Sequence, residues 1–181
     1  PIYTGKDVSY IDTKQANRAA EDAVLGAERF AVFAALLGGT SYPEAALAKA
    51  WVQLAWGAHH DAITGSESDQ VYLDLLTGWR DAWELGRTAR SAALEVLSVA
   101  VGGSDRSVVV WNPLAHRRSD VVSIPVDADV TVLDSADRPV PSVVSDGVLS
   151  FWASDVDSLG WRSYRLADGA ASSWEACDGV E

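Results

Sequence analysis

Residues 59–65 read His-His-Asp-Ala-Ile-Thr-Gly, the densest concentration of chemically able side chains in the 181-residue chain. An imidazole nitrogen suits a borderline metal such as zinc, and an adjacent carboxylate can accept hydrogen bonds from sugar hydroxyls. The same three residue types at a helix end also make a solvated C-terminal cap, where imidazole favours the negative end of the helix dipole. A zinc site needs three or four protein ligands, so residue types alone favour the cap.

These residues must be held by the elements on either side, and the first hundred residues have helical periodicity. A first helix is expected from Asp12-Thr13, with Asp12 and Gln15 at capping-box spacing. Its apolar positions run from Ala16 through Ala20, Ala23, Ala27, Phe30 and Ala34 to Leu37, and Gly38-Gly39 stops it. Thr40, Ser41 and Pro43 open a second helix with Leu47, Trp51, Leu54 and Ala58 on one face. A third starts at Ser66, which forms a capping-box pattern with Asp69, and carries an apolar stripe from Tyr72 to Leu97. The signature therefore falls in the link between helices two and three.

At Gly102-Gly103 the period changes. Short β-rich runs follow at Ser107–Trp111, Val121–Pro125, Val130–Leu133, Val140–Val144, Val148–Trp152 and Arg162–Leu166, separated by turn residues. The expected fold class is α+β: a three-helix bundle over 1–101, then an antiparallel, partial β-sandwich or sheet over 102–168, with a linker-like tail over 169–181.

A net charge of −12 opposes binding to nucleic acid or anionic lipid, and no apolar run reaches the roughly 20 residues of a spanning helix. A single cysteine, Cys177, excludes an internal disulfide and points to a reducing, cytoplasmic setting. Pro1 as first residue and the absence of methionine predict a piece of a longer protein.

The string His59-His60-Asp61-Ala62-Ile63-Thr64-Gly65 closely resembles a signature of glycoside hydrolase family 38, the retaining α-mannosidases. Other motifs match in the same order. Tyr3-Thr4-Gly5 and Thr13-Lys14-Gln15 resemble the opening of that family's helical middle domain. Val110-Trp111-Asn112-Pro113-Leu114 with Arg118 resembles the strand that opens its C-terminal β-region, and Val156–Trp161 with Tyr164 resembles a later turn and strand. The resemblance implies that His60 supplies one zinc ligand and that Asp61 contacts the bound mannose. It also implies that the remaining ligands, one His and two Asp, come from an N-terminal catalytic domain of the same chain. The nucleophilic and general-acid aspartates belong to that domain and have no match here. The parent would hydrolyse terminal α-D-mannosyl residues, with Zn²⁺ as cofactor and an α-mannoside as substrate. This fragment, having no catalytic residues of its own, would be inactive alone.

Other candidates are read more plainly. His59 is expected to orient or to pack, and Trp51, Trp56, Trp79 and Trp83 to fill the helical core although each can stack a sugar. Asp69 and Asp74 read as capping and solvated positions, and His116 has no partner pattern. Two rival functions compete with this one. An all-helical His-Asp metal phosphohydrolase needs an upstream histidine, and none precedes His59. A non-catalytic carbohydrate- or protein-binding module remains the alternative.

Overall fold

The computed structural model describes residues 10–102 and 104–169. The Tyr3-Thr4-Gly5 motif, Gly103, Cys177 and the expected linker beyond residue 169 lie outside them. The chain divides into two compact units, Pro1–Ala100 and Val101–Glu181. No helix among the described residues is long and apolar enough to cross a membrane.

The first unit is a three-helix bundle of α1 (Ile11–Gly38), α2 (Glu44–Gly57) and α3 (Asp69–Ala100). Short links reverse the chain twice, so α1 and α3 run in the same direction with α2 opposed to both. The pairings along α1 and α3 give the register: Asn17 meets Trp79, Ala23 and Val24 meet Gly86, Gly26 meets Arg90, and Gly38 meets Val96. At about 1.5 Å per residue, α3 spans roughly 48 Å and α2 only about 21 Å. The core is built from small residues of α1 (Ala20, Val24, Ala27) against Leu47 and Leu54 of α2 and Leu75, Trp79 and Ala82 of α3. Small side chains let the long helices approach closely. A Cβ on Gly86 would lie 2.8 Å from backbone atoms of both Ala23 and Val24.

The helix starts differ from the sequence expectations. Asp12 does not cap α1; Tyr10, in the left-handed region at φ 48°, precedes the helix, and the Thr13 hydroxyl donates to its carbonyl at 2.8 Å. Asp12 instead accepts a hydrogen bond from the Tyr72 hydroxyl of α3. Likewise α3 begins at Asp69 rather than Ser66, whose hydroxyl is 3.1 Å from that of Thr64. Leu37, expected in the apolar stripe, is 75% exposed because it lies in the last turn of α1. Trp56 is also 75% exposed and not part of the core.

The Asp12 bond, more than any other influence, raises the Tyr72 pKa above its ordinary 10.0. A group whose folded pKa is raised contributes stability that is full below the unfolded value and disappears as pH rises through the folded one. The α1–α3 tie is therefore expected to weaken above about pH 10. Tyr72→Phe should remove that component of alkaline destabilisation, measured as the difference between thermal melts at neutral and alkaline pH.

The second unit holds two three-stranded antiparallel sheets, ordered β1-β6-β3 and β2-β5-β4. The strands are β1 (Ser107–Trp111), β2 (Arg118–Pro125), β3 (Val130–Leu133), β4 (Ser142–Ser145), β5 (Val148–Val156) and β6 (Trp161–Asp168). Val132 and Tyr164 of one sheet and Leu149, Phe151, Ala153 and Val156 of the other share one buried core. The Phe151 and Tyr164 rings meet edge-on at 4.9 Å. The fold class is α+β, as the sequence predicts. The fourth strand starts at Ser142 and not Val140, because the Val140 amide is taken by the Val132 carbonyl. The β4–β5 turn places Asp146 and Gly147 at φ 51° and 74°, the positive pair that a two-residue hairpin needs.

Asn112, 2% exposed, ties the end of β1 to two other segments. The two hydrogens of its amide nitrogen are shared among the carbonyls of His116 (2.7 Å), Val156 (3.1 Å) and Asp157 (3.0 Å). Its side-chain oxygen accepts from the Leu114 amide at 3.0 Å. Asn112→Ala is expected to destabilise the unit by at least about 1–3 kcal/mol, the cost of leaving a buried polar group unpaired. Asn112→Asp should also destabilise, since a carboxylate cannot donate to the carbonyls. Urea unfolding of both variants checks this.

Candidate functional site

The backbone of 57–65 explains how the histidines come to face outward. α2 ends at Gly57, where a Cβ would lie 2.4 Å from Trp79 Nε1, so the helix end rests directly on the indole. Beyond it the chain turns tightly twice. The amides of Ala62 and Ile63 both donate to the His59 carbonyl, at 2.9 and 3.0 Å, and the Gly65 amide donates to the Ala62 carbonyl at 3.1 Å. Gly65 takes φ 74°, and the Thr64 hydroxyl donates to the His60 carbonyl at 2.6 Å. Ala62 is buried and Ile63 packs against the same core. The apolar pair is thus an anchor, and it turns His59, His60 and Asp61 to the surface.

Among the described residues, these three form the one group of His, Cys, Asp or Glu placed to hold a metal ion, with ligand atoms within 4.8 Å of one another. The His59 and His60 rings are 4.1 Å apart. His59 Nδ1 accepts the Asp61 amide at 3.2 Å, which leaves the proton of a neutral ring on Nε2. His60 Nε2 lies 3.4 Å from Asp61 Oδ2, with both side chains at least 75% exposed. At such exposure the pair adds little to stability, so its atoms are available to a ligand. Two imidazoles and a carboxylate fit zinc in donor type.

Beside this group lies an open pocket of about 500 Å³, lined by Trp56, His59, Asp61, Glu67 and Val71 among others. His60 is not among its lining residues. The remaining sequence candidates lie elsewhere: Asp69 begins α3, Asp74 accepts from Gln70 at 3.0 Å, and His116 follows β1. Trp79 is buried and donates to Asn17 Oδ1 at 3.1 Å. Trp51 donates to Glu28 at 2.7 Å, and Trp83 is capped by the Arg87 guanidinium at 5.0 Å.

The family model "Alpha mannosidase middle domain" matches residues 2–97, more than half of the chain. The chain belongs to this family. Alpha-mannosidase 2 of Arabidopsis thaliana is 26% identical over 163 residues, covering 64% of this chain and 14% of that protein. Alpha-mannosidase 2C1 of Homo sapiens is 28% identical over 151 residues, covering 80% of this chain and 14% of the relative. The chain thus spans about a seventh of these curated relatives. Two Enterococcus faecalis structures share the fold at 18% identity, each over 93% of this chain. One is an α-mannosidase, with TM-score 0.76 over 25% of that chain; the other is a glycosyl hydrolase family 38 protein, with TM-score 0.77 over 26%. The family resemblance read from the signature is borne out.

Within the α-mannosidase middle domain, two residues beside the signature depart from the sequence reading: Trp56, expected in the core, and Glu67, which that reading passes over. Trp56 is exposed and lines the pocket; it is not part of the core. Glu67 lines the same pocket, and both of its carboxylate oxygens are shielded from solvent without a hydrogen-bond partner among the described residues. The pattern Ser66-Glu67-Ser68 reads as a capping loop, so only the three-dimensional arrangement brings Glu67 out.

Proposed function

We propose that this chain is the helical middle domain (residues 1–101) and the start of the C-terminal β-domain (102–168) of a retaining, zinc-dependent α-mannosidase, followed by a linker (169–181). The observation that carries this reading is the outward-facing His59-His60-Asp61 group, presented by the signature turn of a chain in the α-mannosidase middle-domain family. In the parent, His60 offers one imidazole nitrogen to zinc and Asp61 accepts hydroxyls of the terminal mannosyl unit. The Nδ1 bond from the Asp61 amide fixes the His59 ring and positions it against its neighbour. When bound, zinc supplies Lewis-acid orientation of the sugar. The retaining reaction needs two carboxylates, a nucleophile and an acid, which the N-terminal catalytic domain of the parent provides. The single cysteine favours a cytoplasmic parent.

The purified chain is expected to release no aryl alcohol from an aryl α-mannoside, with or without added zinc. The parent is expected to hydrolyse that substrate and to lose activity on chelation. Robust zinc-dependent hydrolysis by the chain alone, or chelator-insensitive turnover by the parent, would overturn the assignment.

A further inference from the structure

The side chains of His60 and Asp61 are 80% and 75% exposed. The neighbours of the His60 ring, the His59 ring at 4.1 Å and the Asp61 carboxylate at 3.4 Å, are exposed as well. Packing therefore does little to aim these groups, and their directions are set by the backbone that carries them. One peptide plane joins the two residues, from the His60 carbonyl to the Asp61 amide, and its orientation aims both side chains at once. Each end of that plane has a partner. The Asp61 amide donates to His59 Nδ1 at 3.2 Å, and the His60 carbonyl accepts the Thr64 hydroxyl at 2.6 Å.

Consecutive carbonyls of this turn are held in different ways. That of His59 takes the amides of Ala62 and Ile63, so the backbone itself secures it. Among the described residues no backbone amide bonds to the His60 carbonyl, and the Thr64 side chain supplies the missing donor. The Thr64 hydroxyl has one proton, committed to that carbonyl, so in its 3.1 Å contact with Ser66 the Ser66 hydroxyl is the donor. Two hydroxyls aligned in this sense polarise each other and strengthen the bond to the carbonyl. We propose that Thr64 is a positioning residue for the metal ligand. It fixes the His60–Asp61 peptide plane so that imidazole and carboxylate point where zinc and sugar are held. The inference rests on the α-mannosidase reading and deepens it. The bond lies at the surface, where a freed carbonyl can turn to water, so its loss loosens the plane without unfolding the bundle.

The test compares the full-length enzyme with its Thr64→Val and Thr64→Ser variants. Valine keeps the branched shape without the hydroxyl, and serine keeps the hydroxyl without the methyl group. Zinc affinity is read by competition with a chelator of known affinity. Thr64→Val is expected to weaken it by about three- to tenfold, the equilibrium equivalent of one neutral hydrogen bond. Thr64→Ser should return it to within about twofold of wild type. In the metal-free enzyme, amide exchange over residues 58–66 should quicken in Thr64→Val by a similar factor and not in Thr64→Ser. Thermal melts of the three proteins should coincide. Zinc affinity in Thr64→Val equal to wild type would defeat the positioning role, as would Thr64→Ser binding as weakly as Thr64→Val. A wild-type enzyme with no affinity for zinc would instead overturn the zinc-dependent reading, and the inference with it, an outcome that no difference between variants imitates.

Discussion

Replacing His60 by alanine in the parent enzyme is expected to reduce zinc content and mannoside hydrolysis by more than about 100-fold. His59→Ala should cost only the roughly 10–100-fold typical of a residue that orients a metal ligand. Removing one of a small number of ligands opens the coordination sphere, whereas removing a neighbour only loosens it. Both histidines are exposed, and the turn that carries them is anchored by Ala62 and Ile63, so neither substitution should unfold the bundle. Metal analysis and kinetics on folded protein then report site chemistry directly. Full zinc occupancy in His60→Ala together with loss in His59→Ala would move the ligand to His59. Indifference to both changes would refute the site.

The second large effect is on stability. Trp79→Ala is expected to destabilise the helical unit by about 3–5 kcal/mol, the range for truncating a buried aromatic side chain. Trp79 is 1% exposed, closes the core between α1, α2 and α3, and holds Asn17 through its indole N–H. Trp79→Phe keeps most of the volume but leaves the Asn17 oxygen without that donor, so it should lose a smaller part of the total. Denaturant midpoints of the two variants order the effects. A Trp79→Ala midpoint equal to wild type would show that the indole is not a core support.

The three helices were legible in the sequence because small and large apolar residues repeat near 3.6 and the breaks at Gly38-Gly39 and Gly102-Gly103 are unambiguous. The signature was legible as a string. Its geometry was not, since the outward turn depends on Ala62 and Ile63 finding the core of a bundle assembled from distant segments. Local spacing marks Asp12 as a cap, but its partner, Tyr72, lies 60 residues away, a contact that no local spacing reports. Helical spacing of the tryptophans points Trp56 to the core, and the structure does not put it there. It lies two residues beyond Leu54, about 200° round the helix from the inward face. Glu67 could not be singled out at all, because an unpaired carboxylate is a property of surroundings and not of spacing. In the β-unit, strand positions followed β-branched runs to within a few residues, but the role of Asn112 emerged only where three segments converge on it.

The contact between Gly57 and Trp79 joins two demands that proteins usually keep apart. The indole fills the core, and the helix end that rests on it leads two residues later into His59. In evolutionary terms, tolerance to change at position 79 is limited twice over, by the free energy of the bundle and by the placement of the signature. A lineage cannot relax the first and later restore it with a stabilising substitution elsewhere, because such a remote gain leaves the helix end displaced. Compensation has to occur at this contact, as paired changes in glycine and indole, so these two positions should drift together or not at all.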